Sequence, residues 1–226
     1  MNPVLKRLRF RRFSTVQLLI ALAVLLMSAP FVEELEGGKL ILSVLFSLVL
    51  LAAVFAVADR KRTLIIALVL AVPALGARWL SYFRPEFIHP AVFLVCALVL
   101  LAFVIAHLLQ FILRAPVVTM EVLCASIAAY LMLGLMWTLA YWLVDQATPG
   151  GAFAFNTDLG RESMNGFNGI YFSFITLSTV GYGDITPVSR AARWLAALEA
   201  MTGLLYVAVL IARLVSLYSR TESRNS

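Results

Sequence analysis

TVGYGD, residues 179–184, follows the apolar run 169–178 and precedes a longer apolar run that begins near Ser189. As a helix the first run is about 15 Å long, half the hydrocarbon thickness of a bilayer. Asp184, Pro187 and Arg190 then lead the chain back to a polar surface, so the segment enters and leaves from one side. Non-helical backbone at that depth is tolerated only where protein encloses it or where it lines a wet cavity. TVGYG after a half-helix therefore implies a pore.

The rest of the chain supplies a membrane around that pore. Of 226 residues, 62% are hydrophobic and 13% charged, and the mean hydropathy is +0.96. A soluble domain of this length does not hide so much apolar surface. Runs of about 20 apolar residues, enough to span a bilayer, occur at 14–32, 39–58, 63–80, 90–113, 117–144 and 189–217. The expected fold is an all-α membrane protein with six transmembrane helices, a re-entrant pore helix and a selectivity-filter loop.

This gives a basic N-terminus (1–13), a four-helix domain (14–113), a pore domain (114–218) and a polar tail (219–226). The pore domain divides into an outer helix 117–144, a loop 145–166 expected to lack regular structure, a pore helix 167–178, the filter 179–184 and an inner helix 189–217. Pro73 is expected to kink the third span. With so short a tail, no cytoplasmic ligand-binding domain is expected.

Charge placement sets the orientation. With the N-terminus inside, Arg60, Lys61, Arg62, Arg114, Arg220 and Arg224 fall inside, and Glu33, Glu34 and Glu36 fall outside, as the positive-inside rule requires. A multi-pass cell-membrane protein with both termini cytoplasmic is expected. The net charge of +6 is accounted for by this bias and by anionic lipid at Lys6, Arg7, Arg9, Arg11 and Arg12, so no nucleic-acid partner is expected. The first run is too long for a signal-peptide core, and Met27-Ser28-Ala29-Pro30 is a poor cleavage site, so it is read as a retained helix. Cys96 and Cys124 lie in apolar spans without metal-ligand spacing and are read as packing residues.

Within the pore segment, Gly181 and Gly183 can take backbone angles closed to other residues and turn successive carbonyls toward one axis. Four copies of Thr179, Val180, Gly181 and Tyr182 would stack rings of oxygens that replace the hydration shell of a monovalent cation, with the Thr179 hydroxyl adding an inner ring. Val180 and Tyr182 are expected to pack against the half-helix. That helix directs its negative end at Ser178 toward the membrane centre, and Asp184 adds negative charge at the outer mouth.

Residues 176–184, TLSTVGYGD, resemble the selectivity-filter signature of tetrameric potassium channels. Thr176, Thr179, Gly181, Tyr182 and Gly183 match its pattern, and the resemblance covers about 117–217. It implies a homotetramer conducting K+ passively, with Thr179 to Gly183 as the ion-binding residues and no enzyme chemistry or cofactor. Family members often carry a hinge glycine in the inner helix, and Gly203 stands there; a glycine also permits close helix packing. Some bacterial members have a glutamate behind the filter where this chain has Ile175, so Tyr171 is expected to hydrogen-bond Asp184 instead.

The six-span layout resembles voltage-gated channels, yet the fourth span contains no arginine from Ala91 to Leu113. Each absent charge removes about 2.3 kcal/mol of response per 100 mV, so a voltage-independent channel is expected. His107 and Gln110 read as hydrogen-bonding residues or, for His107, a pH sensor. Glu199, four residues before Gly203, calls for a polar partner behind the filter or contact with water. Arg213 reads as an interfacial or gate residue. The other functional classes are a nonselective cation pore or potassium uptake transporter subunit, and a non-conducting scaffold or sensor.

Overall fold

Each apolar run becomes a helix, and several helix ends have an identifiable chemical cause. The computed structural model describes residues 3–32, 35–58, 61–84, 89–156 and 163–222; within its helices the side chains of 3–13, 90 and 217–222 are outside that description. The basic cluster Lys6, Arg7, Arg9, Arg11 and Arg12 therefore lies outside the described side chains, as do Arg220 and the whole residues Glu33, Glu34, Arg60 and Arg224.

The elements are α1 (Pro3–Val32), α2 (Gly38–Ala56), α3 (Lys61–Phe83), α4 (Pro90–Arg114), α5 (Met120–Ala147), β1 (Phe153–Phe155), α6 (Gly166–Leu177), β2 (Ile185–Pro187) and α7 (Arg190–Glu222). Six of the helices are long and apolar enough to cross a membrane. The helix of α1 begins at Pro3, before the apolar run, and α7 continues to Glu222, past the expected start of the polar tail. Helix α3 continues through Pro73.

His89 caps α4 by accepting from the Ala91 N–H, with Pro90 in the first turn, where its missing N–H costs nothing. Thr119 accepts from the Val122 N–H to cap α5, and Ser189 accepts from the Ala192 N–H at 3.1 Å to cap α7. Between α4 and α5 only residues 115–119 intervene, with Pro116 unable to continue a helix.

Helix α4 packs against α3 and α5, and α1 packs against α2 and α5, so α5 joins α1 and α4 to α6 and α7. The core runs through Leu22, Leu50, Leu100, Leu108, Met132 and Leu135, all almost wholly buried. Cys96 and Cys124 are free thiols, half-buried among these helices.

The connection after α5 is more ordered than the sequence suggests. β1 and β2 form an antiparallel pair in the register Phe153 with Pro187, Ala154 with Thr186 and Phe155 with Ile185. Three-residue strands carry little periodicity, and β2 hides behind the filter motif. The Asp145 carboxylate holds both ends of this connection, accepting from the Ala152 N–H at 2.7 Å and from the Met164 N–H at 3.4 Å.

Candidate ion-conduction site

Helix α6 has 12 residues, about 18 Å of rise, and ends at Leu177 with Ser178 as its cap. The next residues do not leave the helix freely. Thr179 N–H donates to the Thr176 carbonyl at 2.9 Å, and the Val180 and Gly181 N–H groups donate to the Ile175 carbonyl at 2.8 and 3.2 Å. The Ser178 hydroxyl donates to the Phe174 carbonyl at 2.6 Å. Helix-terminal carbonyls thus take up the donors of the filter segment and leave its own carbonyls available.

Backbone angles explain where those carbonyls turn. Thr179, Gly181 and Gly183 have φ of 61°, 54° and 83°, whereas Val180 and Tyr182 are not in the positive region. An alternation in the sign of φ rotates every second peptide, so successive oxygens no longer point to opposite sides as in a strand. Glycine takes this angle freely; Thr179 does not, and a non-glycine residue held there marks a site the surroundings over-determine. Among the described residues, nothing donates to the carbonyls of Thr179, Val180, Gly181 or Tyr182. The Gly183 carbonyl differs, accepting from Asn156 Nδ2 at 3.0 Å.

Val180 and Tyr182 are 52% and 73% exposed in the single chain. Each is thus partly covered within one chain, and the segment is fixed to α6 through its N–H groups.

Two layers of contacts stiffen the pore helix. At the outer end, the Tyr171 hydroxyl donates to Asp184 Oδ2 at 2.7 Å. That hydrogen bond, with some loss of hydration, pushes the Tyr171 hydroxyl up to about 12, so it stays a donor at neutral pH. Asn156 N–H donates to the Asp184 carbonyl at 2.8 Å, fastening the β1 end to the filter exit.

Behind the filter, Glu199 is fully buried and accepts from the Tyr141 hydroxyl and, at 2.5 Å, from the Ser173 hydroxyl. Ser173 Oγ also lies 2.7 Å from the Gly134 carbonyl. Tyr141, Phe153 and Phe172 close the space above with edge-on rings, their centroids 4.9 to 5.6 Å apart.

Glycines set the spacing of these layers. A Cβ at Gly203 would lie 2.0 Å from the Leu177 carbonyl oxygen, and one at Gly134 would lie 2.6 Å from the Phe174 ring. Of the two roles open for Gly203, close packing is the one seen: α7 is an unbroken helix passing over the end of α6. At the far end of α7, Arg213 Nη2 donates to the Ala115 carbonyl at 2.8 Å. On α4, the His107 ring stacks at 6.3 Å on Phe103.

Sequence reasoning named Tyr171, Thr176, Ser178, Asp184, Glu199 and Gly203, and the fold gathers all six around α6. It missed Ser173, Tyr141, Gly134, Asn156 and the tethering role of Asp145. Ser173 lies in an apolar run, and nothing in the sequence pattern marks it as a partner of Glu199. No group of His, Cys, Asp and Glu able to hold a metal occurs among the described residues.

Residues 117–220 match the family model described as an ion channel, which covers α5 to α7 with the filter and leaves out α1 to α4. The chain is 34% identical over 88 residues to two-pore potassium channel 1 of Arabidopsis thaliana, covering 38% of this chain and 20% of that protein. It is 48% identical over 46 residues to protein LctB of Geobacillus stearothermophilus, covering 20% of this chain and 34% of that one. The similar stretches thus span about a fifth to a third of these relatives. No solved structure matches the chain. The helices make this a multi-pass, all-α membrane protein, and its residues 117–220 are similar to ion channels.

Proposed function

We propose that the chain is one subunit of a potassium-selective channel, in which four copies set their 179–183 segments around a common axis. The observation that carries this reading is the filter segment itself. Its carbonyls from Thr179 to Tyr182 are unclaimed and its side chains lie bare at the tip of a half-helix. In a membrane such backbone must be enclosed by protein or line a wet cavity, and one chain supplies neither. Four chains supply both.

Helix α7 supports the same assembly, with 11% of its apolar window buried against 61% for α5, as befits a helix facing other copies. K+ would bind between the rings of Thr179, Val180, Gly181 and Tyr182. Gly183, whose carbonyl is tied to Asn156, shapes the exit. Both termini are cytoplasmic in this reading, anionic lipid meets the cluster from Lys6 to Arg12, and the arginine-free part of α4 leaves conduction nearly voltage-independent. Gly203 acts as a packing site against Leu177, and bending of α7 there is a further role.

The test is flux from liposomes holding the purified protein. A K+ flux at least tenfold above that of Na+ and blocked by Ba2+ supports the reading. Equal Na+ flux replaces it with a nonselective cation pore, and no flux under any ionic condition replaces it with a non-conducting scaffold.

A further inference from the structure

A cavity of about 360 Å3 lies between the four-helix domain and the pore domain, at the level where α2 begins, α3 ends and α6 begins. Its wall is mainly apolar, with Leu42, Phe46, Phe93, Leu139, Trp142 and Ile170 among its residues. The size falls at the low end of small-molecule sites, about 300–1,000 Å3. Among the described residues, the charged side chains that line it, Lys39 and Arg78, have one sign. Asn165 and Gly166 also line it, at the start of a helix without a side-chain cap, so the positive end of the α6 dipole adds to the same field.

Arg78 is held in place but not neutralised. Its Nη2 donates to Ser43 Oγ at 2.9 Å, and its guanidinium lies 5.0 Å from the centre of the Phe93 ring. Its Nε is enclosed with no hydrogen-bond partner, and so is the hydroxyl of Ser81, one turn further along α3. A guanidinium at membrane depth calls for an anion or water, and two unsatisfied donors beside it call for an acceptor with several oxygens.

We propose that this cavity binds one anionic phospholipid, its phosphate held by Arg78, Ser81, Lys39 and the start of α6, and its first methylenes lying along the apolar wall. A soluble anion would leave that wall wet, and a bare hydrocarbon would leave Arg78 unpaired; an amphiphile satisfies both. With Lys39 and Arg78 the charged groups that line the cavity among the described residues, a headgroup of net negative charge is favoured over a zwitterion. The lipid would bridge α2, α3 and α4 to α5 and α6.

The test counts lipids kept by the full-length protein. The protein is purified in mild detergent with equal phosphatidylglycerol and phosphatidylcholine, and retained lipids are weighed by native mass spectrometry. The wild type keeps at least one phosphatidylglycerol per chain more than Arg78→Gln does, and phosphatidylcholine does not replace it. Leu42→Trp fills the apolar wall without touching the Arg78 contacts and loses the same lipid, which decides the matter if Arg78→Gln does not fold. Glycerol phosphate, lacking acyl chains, leaves the count unchanged. Equal phosphatidylglycerol counts in wild type and the folded variants overturn the proposal, equal retention of phosphatidylcholine overturns its charge selectivity, and displacement by glycerol phosphate makes the cavity a soluble-anion site. The readout is independent of conduction, so its failure leaves the channel reading standing.

Discussion

Ser173 on the pore helix donates to Glu199 on the inner helix at 2.5 Å, in a pocket where Glu199 is fully buried. One serine hydroxyl thereby links the element that carries the filter to the element that runs the length of the pore domain. Replacing Glu199 with Leu orphans the Tyr141 hydroxyl and removes one acceptor from Ser173. An unsatisfied buried donor costs about 1–3 kcal/mol, so a fall in the thermal midpoint of the detergent-solubilised protein is expected. Glu199→Gln retains an acceptor for Tyr141 and stays near wild type. An unchanged midpoint in Glu199→Leu would remove the cluster from the support of the filter.

Gly203 and Gly76 make a controlled pair. A Cβ at Gly203 meets the Leu177 carbonyl, while one at Gly76 meets nothing within 4 Å. Gly203→Ala is therefore expected to displace the end of the pore helix and lower K+ flux at least tenfold. Gly76→Ala, in a helix interior, is expected to stabilise by about 0.5–1 kcal/mol through reduced backbone freedom. Equal flux in both variants would show that α7 and α6 can separate freely.

Gly183 tests the backbone alone. Its φ is +83° and a Cβ there would touch nothing, so Gly183→Ala adds strain of about 1–2 kcal/mol per chain without a clash. Expected are an intact assembly by size-exclusion chromatography and a K+ to Na+ flux ratio reduced at least tenfold. A retained ratio would mean that the left-handed angle at 183 does not govern the filter.

Tyr171→Phe removes the donor to Asp184 and is expected to shorten channel openings severalfold in single-channel records. The pH dependence has a defined sign. The hydroxyl is raised from the ordinary tyrosine value to about 12, so its contribution is fully present below the ordinary value and is lost as pH rises through about 12. Between pH 6 and 9 the wild type should show no change arising from Tyr171. A change in that window shared by wild type and Tyr171→Phe would have another origin.

The six spans and the half-helix were legible because lipid imposes lengths of about 20 and 10 residues on apolar runs, and the runs around Leu22, Leu100 and Phe172 obey it. The left-handed backbone at 181 and 183 was legible because glycine takes positive φ freely. Tyr171 and Asp184 could be paired because both flank one short motif. The link from Ser173 to Glu199 joins positions 26 apart on two helices, and no periodicity encodes which faces of two helices meet. The β1–β2 pair escaped notice because three residues are too few to alternate visibly.

Arg213 and Ala115 are 98 positions apart, yet one hydrogen bond of 2.8 Å joins them. Ala115 is the first residue after α4, and Arg213 lies near the end of α7. A displacement of α4 along its axis therefore tugs on the cytoplasmic end of the conduction path in the orientation proposed above, without any charge crossing the electric field. In the channel proposed above, a shift of α4 reaches α7 through this bond, and Arg213→Gln is expected to weaken that coupling.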